Sequence, residues 1–168
     1  MPPRPPQFIE PARLADEAET ISGKLGIEGM HRLRAIVLEP QAEVEFRLCF
    51  ARDERGFIII SGEYATVLTL RCQRCLEPLQ VSLENAIRIG WVSDSDAVKL
   101  LPADLEPMLA QGSRIALKDL LEEEILLGLP MAPLHAGQEC PATNLVQELK
   151  EKKDNPFAVL KDMKLNKD

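Results

Sequence analysis

Apolar and polar side chains alternate along residues 42–51, with Val44, Phe46, Leu48 and Phe50 on one side and Glu45, Arg47 and Cys49 on the other. That is the period of a strand with one buried face. The same period returns in Leu79, Val81, Leu83, Asn85, Ile87, Ile89 and Trp91, set against Gln80, Ser82, Glu84, Ala86, Arg88 and Gly90. Between them, residues 57–70 predict a further strand region, interrupted near Gly62 because glycine inside a strand commonly marks a break or bulge. The turn over 52–56, Arg-Asp-Glu-Arg-Gly, joins the first two. Strands linked this closely predict an antiparallel sheet or open barrel rather than βαβ units. Cys72-Gln73-Arg74-Cys75 falls between two of these patterns, at the tip of a hairpin.

The period changes to that of a helix in two places. Leu14, Ala18 and Ile21 predict a short helix over 13–21, with Gly23 as its stop. Leu117, Leu120, Leu121 and Ile125 form the stronger stripe, ended by Gly128 and Pro130, and this helix is expected to lie across the sheet. At about 100° per residue Glu124 projects into that stripe while Glu122 and Glu123 point away from it. Glu124 is therefore expected to be partly buried and ion-paired with an arginine, Arg71 or Arg74 being the natural partners if the tip docks on the helix. Residues 93–112 are acidic, contain proline and show no period, which predicts a long loop. Together these elements predict one α+β domain over 1–140, a sheet with a covering helix and a Cys-x2-Cys hairpin tip. A polar, mildly basic tail follows over 141–168.

Charge narrows the partners. The 168 residues carry a formal net charge of -7, so the chain cannot coat nucleic acid through overall charge. Contact with RNA or another partner has to be local. The candidates are Arg71, Arg74 and Arg88 on the hairpin, with Lys150, Lys152, Lys153, Lys161 and Lys164 in the tail. The acid is concentrated in the middle of the chain, which can also steer it toward a basic protein. No apolar run approaches a membrane span, and the start, Met1-Pro2-Pro3-Arg4-Pro5-Pro6, lacks the apolar region of an export signal. A cytoplasmic, reducing location is expected, where four cysteines read as thiols or metal ligands rather than disulfides.

Cys72 and Cys75 are half of a tetrahedral zinc site, and His135 and Cys140, just beyond the proline-broken end of the strong helix, are candidates for the other half. Zn2+ as a structural cofactor leads over two alternatives. One is a set of bare packed thiols. The other is a redox pair, which would need the Cys-x2-Cys at the start of a helix, whereas both flanks here read as strand. Cys49 lies in a strand apart from these motifs. For catalysis the chain offers two histidines, no Gly-x-Ser-x-Gly elbow and no phosphate-cradling glycine loop, so a non-enzymatic role is expected. The enzyme alternative is metal- or thiol-dependent chemistry on RNA or a redox partner, with His135 as base to Cys72 or Cys75. A protein-only adaptor is the third reading.

Three segments together resemble one bacterial family. Residues 70–78 read Leu-Arg-Cys-Gln-Arg-Cys-Leu-Glu-Pro, and residues 123–130 read Glu-Glu-Ile-Leu-Leu-Gly-Leu-Pro and run on through Pro133, Leu134, His135 and Cys140. The third segment is Asn155-Pro156-Phe157-Ala158-Val159-Leu160. In this order and spacing they resemble the large ribosomal RNA subunit accumulation (YceD) family. The resemblance implies a role in the synthesis, processing or stability of 23S ribosomal RNA, with precursor 23S rRNA or large-subunit ribosomal proteins as partners and no established enzymatic activity. Family members from other bacterial groups carry more cysteines in the segment matching His135 to Cys140, which suits a metal site.

Overall fold

The computed structural model of the chain describes residues 5–143, apart from the side chain of Gln138. Its centre is the long hairpin that the alternating patterns predict: β4 (Ile58–Arg71) and β5 (Pro78–Val92), paired antiparallel from Ile58↔Trp91 to Arg71↔Pro78. β3 (Glu43–Arg52) pairs with the other edge of β4, from Val44↔Thr66 to Arg52↔Ile58. In this register Phe46 and Tyr64 share a rung, as do Phe50, Ile60 and Ile89, so the apolar sets of all three strands meet on one face. α4 (Leu117–Gly128) covers that face with Leu117, Leu120, Leu121 and Ile125, all buried.

The first helix is shorter than the periodicity predicts. α1 spans Pro11–Asp16, opened by proline at its first turn, and the chain reverses through Ala18 at φ +50. It then becomes β2 (Thr20–Gly26), in which Gly23 pairs with Phe46 instead of stopping a helix. Ile21 fits both a 3.6 and a 2.0 period, and pairing with β3 selects the second. Met30, Leu33 and Ile27 close the core from the turn that follows and from the short α2 (His31–Arg34).

β4 also runs through Gly62 without a break. A Cβ there would collide with the carbonyl oxygen of Arg47 on β3, so glycine serves close approach of two backbones rather than a bulge. Gly128 plays the same part for the helix. Its Cβ would strike the Tyr64 hydroxyl and the Asn85 amide, which form a chain: Asn85 Nδ2 donates to Tyr64 Oη at 2.9 Å, and the Tyr64 hydroxyl donates to the Glu124 carbonyl at 3.0 Å. The C-terminal end of α4 is thereby fastened to the sheet.

Residues 93–112, expected to be a loop, contain α3 (Ser95–Val98), capped by the Asp94 carboxylate, and β6 (Glu106–Leu109), which pairs parallel to β5 from Ile89↔Glu106 to Val92↔Leu109. Four residues with a proline carry too little pattern to announce a strand, and an existing edge supplies the ladder. The sheet is therefore mixed and open, in the order β2-β3-β4-β5-β6. A second small ladder joins β1 (Phe8–Ile9) to β7 (Ile115–Ala116) beside the start of α4. Among the described residues no helix is long and apolar enough to cross a membrane.

Candidate metal centre

The ladder of β4 and β5 ends at Arg71↔Pro78, and the six residues between them fold over themselves. The Cys72 N–H donates to the Glu77 carbonyl and the Leu76 N–H to the Cys72 carbonyl, each at 2.9 Å. Leu76 takes up the left-handed region at φ +67, and the turn places both cysteine sulfurs on its inner side, with the Arg74 N–H donating to Cys72 Sγ at 3.5 Å. The second half arrives from the other end of the fold. α4 gives way to extended backbone at Leu129, before Pro130, and the irregular stretch that follows docks on the tip through the Gln73 N–H donating to the Pro133 carbonyl at 2.9 Å. A single 3-10 turn, Gly137–Glu139, then presents Cys140.

The ligand atoms of Cys72, Cys75, His135 and Cys140 all lie within 4.8 Å of one another. Zinc with Zn–S bonds of about 2.3 Å has tetrahedral S–S edges of about 3.8 Å, so slight contraction of this set encloses an ion. Cys75 Sγ lies 3.3 Å from His135 Nδ1. His135 Nε2 lies 3.0 Å from the Pro78 carbonyl, which can only accept, so Nε2 carries a hydrogen and Nδ1, the nitrogen that faces the sulfurs, is the one a metal would take. Burial opposes ionisation of the Cys72 thiol. The backbone N–H groups of Cys75, His135 and Arg74 and the Cys75 thiol outweigh it and hold Cys72 at about 5. Cys140 is likewise lowered against its burial, chiefly by the Ala142 N–H and the Cys75 thiol. Burial and the neighbouring Cys72 and Cys140 sulfurs push Cys75 up, while His135 is raised by its contact with Cys72. Crowded thiolates of this kind are what a divalent cation neutralises.

The remaining candidates separate. Cys49 sits half-buried on β3, where the Thr20 hydroxyl donates to its sulfur at 3.4 Å, and takes no part in the cluster. Arg88 is ion-paired with Asp104. Arg74 donates to the Thr143 hydroxyl at 3.2 Å, and Arg71 is exposed at the end of β4. Lys152 and Lys153, with Lys150, Lys161 and Lys164, lie outside the described residues.

The expected ion pair of Glu124 is absent: it is 8% exposed, as its position in the apolar stripe predicts, but no arginine reaches it among the described residues. Burial, aggravated by the charges of Glu106 and Glu123, pushes its carboxyl up to about 7. The buried, bonded carboxylate is Glu122, 6% exposed. It accepts the backbone N–H groups of Arg32 and Leu33 at 2.7 and 3.0 Å, capping α2 from across the core, and pairs with the Arg32 guanidinium at 3.5 Å. Helical periodicity could not find this role, because α2 is a single turn whose free N–H groups leave no sequence pattern. The unfolded Glu124 carboxyl ionises near 4.5 and the folded one near 7, so the native state holds the extra proton between those values and stability falls as pH rises through them. Glu124→Gln is therefore expected to gain about 1–2 kcal/mol at pH 8 and nothing at pH 4. Urea unfolding at the two pH values measures this, and a loss at pH 8 contradicts it.

Residues 60–164 match the model of the family described as large ribosomal RNA subunit accumulation protein YceD, a span that takes in β4 from Ile60 on, β5, α4 and all four cluster residues. A protein of Haemophilus influenzae that bears that name is 28% identical over 166 residues, 95% of this chain and 95% of its own. No solved structure matches. With its hairpin tip, covering helix and four-donor cluster inside the matched span, the chain belongs to the YceD family of large ribosomal RNA subunit accumulation proteins.

Proposed function

We propose that the protein is a non-enzymatic, cytoplasmic ribosome-biogenesis factor that supports the synthesis, processing or stability of 23S ribosomal RNA, with a structural Zn2+ held by Cys72, Cys75, His135 and Cys140. The observation that carries the non-enzymatic part is the closed donor set. Four protein ligands fill a tetrahedron and leave no position for a water or substrate, the arrangement of structural rather than catalytic zinc. Family membership carries the ribosomal part. The partners are precursor 23S rRNA or large-subunit ribosomal proteins, and the net charge of -7 favours the protein route.

A second reading, thiol chemistry with His135 as base, has the 3.3 Å contact between Cys75 Sγ and His135 Nδ1 in its favour. His135→Cys separates the two. It preserves four zinc ligands and removes the base. In host cells lacking the protein, 23S rRNA is expected to fall relative to 16S rRNA and to be restored by both the natural chain and His135→Cys. An unchanged ratio overturns the ribosomal reading. A zinc-loaded His135→Cys protein that fails to restore the ratio overturns the structural-zinc reading in favour of base chemistry.

A further inference from the structure

Four polar or charged side chains are buried among the described residues, and three of them are bonded: Thr66 donates to the Glu43 carbonyl, Thr69 donates to the Glu39 carboxylate, and Glu122 accepts the N–H groups of Arg32 and Leu33. Glu124 is the fourth. Its backbone carbonyl accepts from Tyr64, but its carboxylate meets no donor among the described residues. Exposed carboxylates without a protein partner are served by water, whereas Glu124 has given up most of its water and received nothing in exchange. The group is nevertheless not sealed in. No fully enclosed side-chain oxygen or nitrogen among the described residues lacks a partner, so the unbonded Glu124 oxygens still reach the surface.

What surrounds this opening is negative. In the β5–β6 register Glu106 stands beside Ile89, so it projects from the same face of the sheet as that buried residue, toward α4. Glu106 and Glu123 both act on the Glu124 carboxyl as like charges, and no basic side chain among the described residues offsets them. From β4 and β5 come the uncharged Tyr64 and Asn85, bonded to each other, while Arg32 of α2 is engaged by Glu122 and Glu123. Such a place calls for a cation. A metal ion is poorly served, because the cysteine–histidine cluster is the one set of three or more donors that converges among the described residues. A guanidinium or ammonium group needs only one or two carboxylates. RNA would bring phosphates to these carboxylates. The lysines of residues 144–168 are interspersed with Glu148, Glu151, Asp154, Asp162 and Asp168, whereas the net charge of -7 draws in a basic protein.

We infer that Glu124, with Glu106 beside it, is the socket for an arginine or lysine side chain of a basic partner protein, which docks beside α4 at the β6 edge of the sheet. While the socket is empty its carboxyl, pushed up to about 7, weakens the fold whenever it ionises. The incoming cation stabilises the ionised form, so the same group that costs the free protein stability holds the complex together. The inference deepens the ribosomal reading and rests on it only for where the partner is found, in precursors of the large subunit.

The test places a photoreactive benzophenone amino acid at position 127 of the full chain, where Leu127 is exposed one turn from Glu124, in host cells that lack the natural copy. After irradiation the adducts are treated with ribonuclease or protease and identified by mass spectrometry. The expected product is a ribonuclease-resistant adduct with a protein that carries more Lys and Arg than Asp and Glu. Glu124→Gln is expected to lower its yield by about tenfold or more while raising the melting temperature of the free protein at pH 8, a split that a purely structural role does not produce. Glu63→Gln removes the same charge from the exposed face of the sheet and is expected to leave the yield unchanged. A ribonuclease-sensitive adduct, an adduct to an acidic protein or to residues 144–168 of the chain itself, or no adduct overturns the inference. So does a yield indifferent to Glu124→Gln, or one that Glu63→Gln lowers equally. A basic protein adduct found only outside large-subunit precursors leaves the socket standing and removes the ribosomal reading, whereas co-sedimentation with precursors that persists without such an adduct does the reverse.

Discussion

Replacing Cys75 by serine is expected to abolish zinc binding and to remove about 4 kcal/mol of stability when free zinc is held a thousandfold above its dissociation constant, the value set by mass action for a ligand that binds only the folded state. The effect is large because the cluster ties two segments, the β4–β5 tip and the stretch after α4, that among the described residues otherwise meet through one backbone bond, from Gln73 to Pro133, and through side chains. Thiol modification of the natural chain should release close to one equivalent of zinc, and Cys49→Ser, outside the cluster, should keep it. Protons compete for the same thiolates, so zinc affinity is expected to weaken as pH falls. Protein prepared with zinc present that contains none, and that is equally stable after Cys75→Ser, removes the metal from the account.

The second large effect belongs to Glu122. Truncating it to alanine leaves the Arg32 and Leu33 N–H groups without their acceptor beneath the surface of the core, and an orphaned buried donor costs on the order of 1–3 kcal/mol. Loss of the partly shielded Arg32 pairing adds to this, so Glu122→Ala is expected to destabilise by about 3 kcal/mol. Glu123 forms the shorter ion pair with Arg32, 2.7 Å, but on the surface, and Glu123→Ala is expected to change stability by at most about 0.5 kcal/mol. Urea unfolding of the two variants side by side decides the point. Equal losses would mean that the capping bonds carry no stability of their own.

These adjacent carboxylates show where reading from sequence stops. Angular position on a helix correctly buries Glu124 in the stripe of Leu117, Leu120 and Leu121. It misjudges Glu122, because burial at the margin of a stripe depends on what docks there, and the end of a one-turn helix fastens onto that carboxylate. It also misplaces the arginine: Arg32 approaches the side of the helix that carries Glu122 and Glu123, and among the described residues none reaches Glu124. Arg74, named as partner to Glu124, is drawn instead to Thr143, a residue brought near by the path of the chain beyond Cys140.

The sequence by itself determined β3 and β5 with their buried faces, a strand region where β4 lies but with a break at Gly62 that the structure does not have, the position of Cys72 and Cys75 at a hairpin tip, and α4 with its apolar stripe. The periods of β3, β5 and α4 repeat over ten or more residues, and burying such a period admits one solution. It also nominated all four members of the cluster from residue type and spacing. Only the tertiary structure decided that His135 and Cys140 come within reach of a tip sixty residues earlier in the chain, because a separation that long sets no distance until β4, β5 and α4 are packed. Short segments behaved the same way. β2 and β6 have too few residues to carry a period, and each became a strand when a neighbouring strand offered its free edge: β3 took β2, and β5 took β6. Where the local signal is weak, the backbone hydrogen bonds that a partner makes available select the conformation.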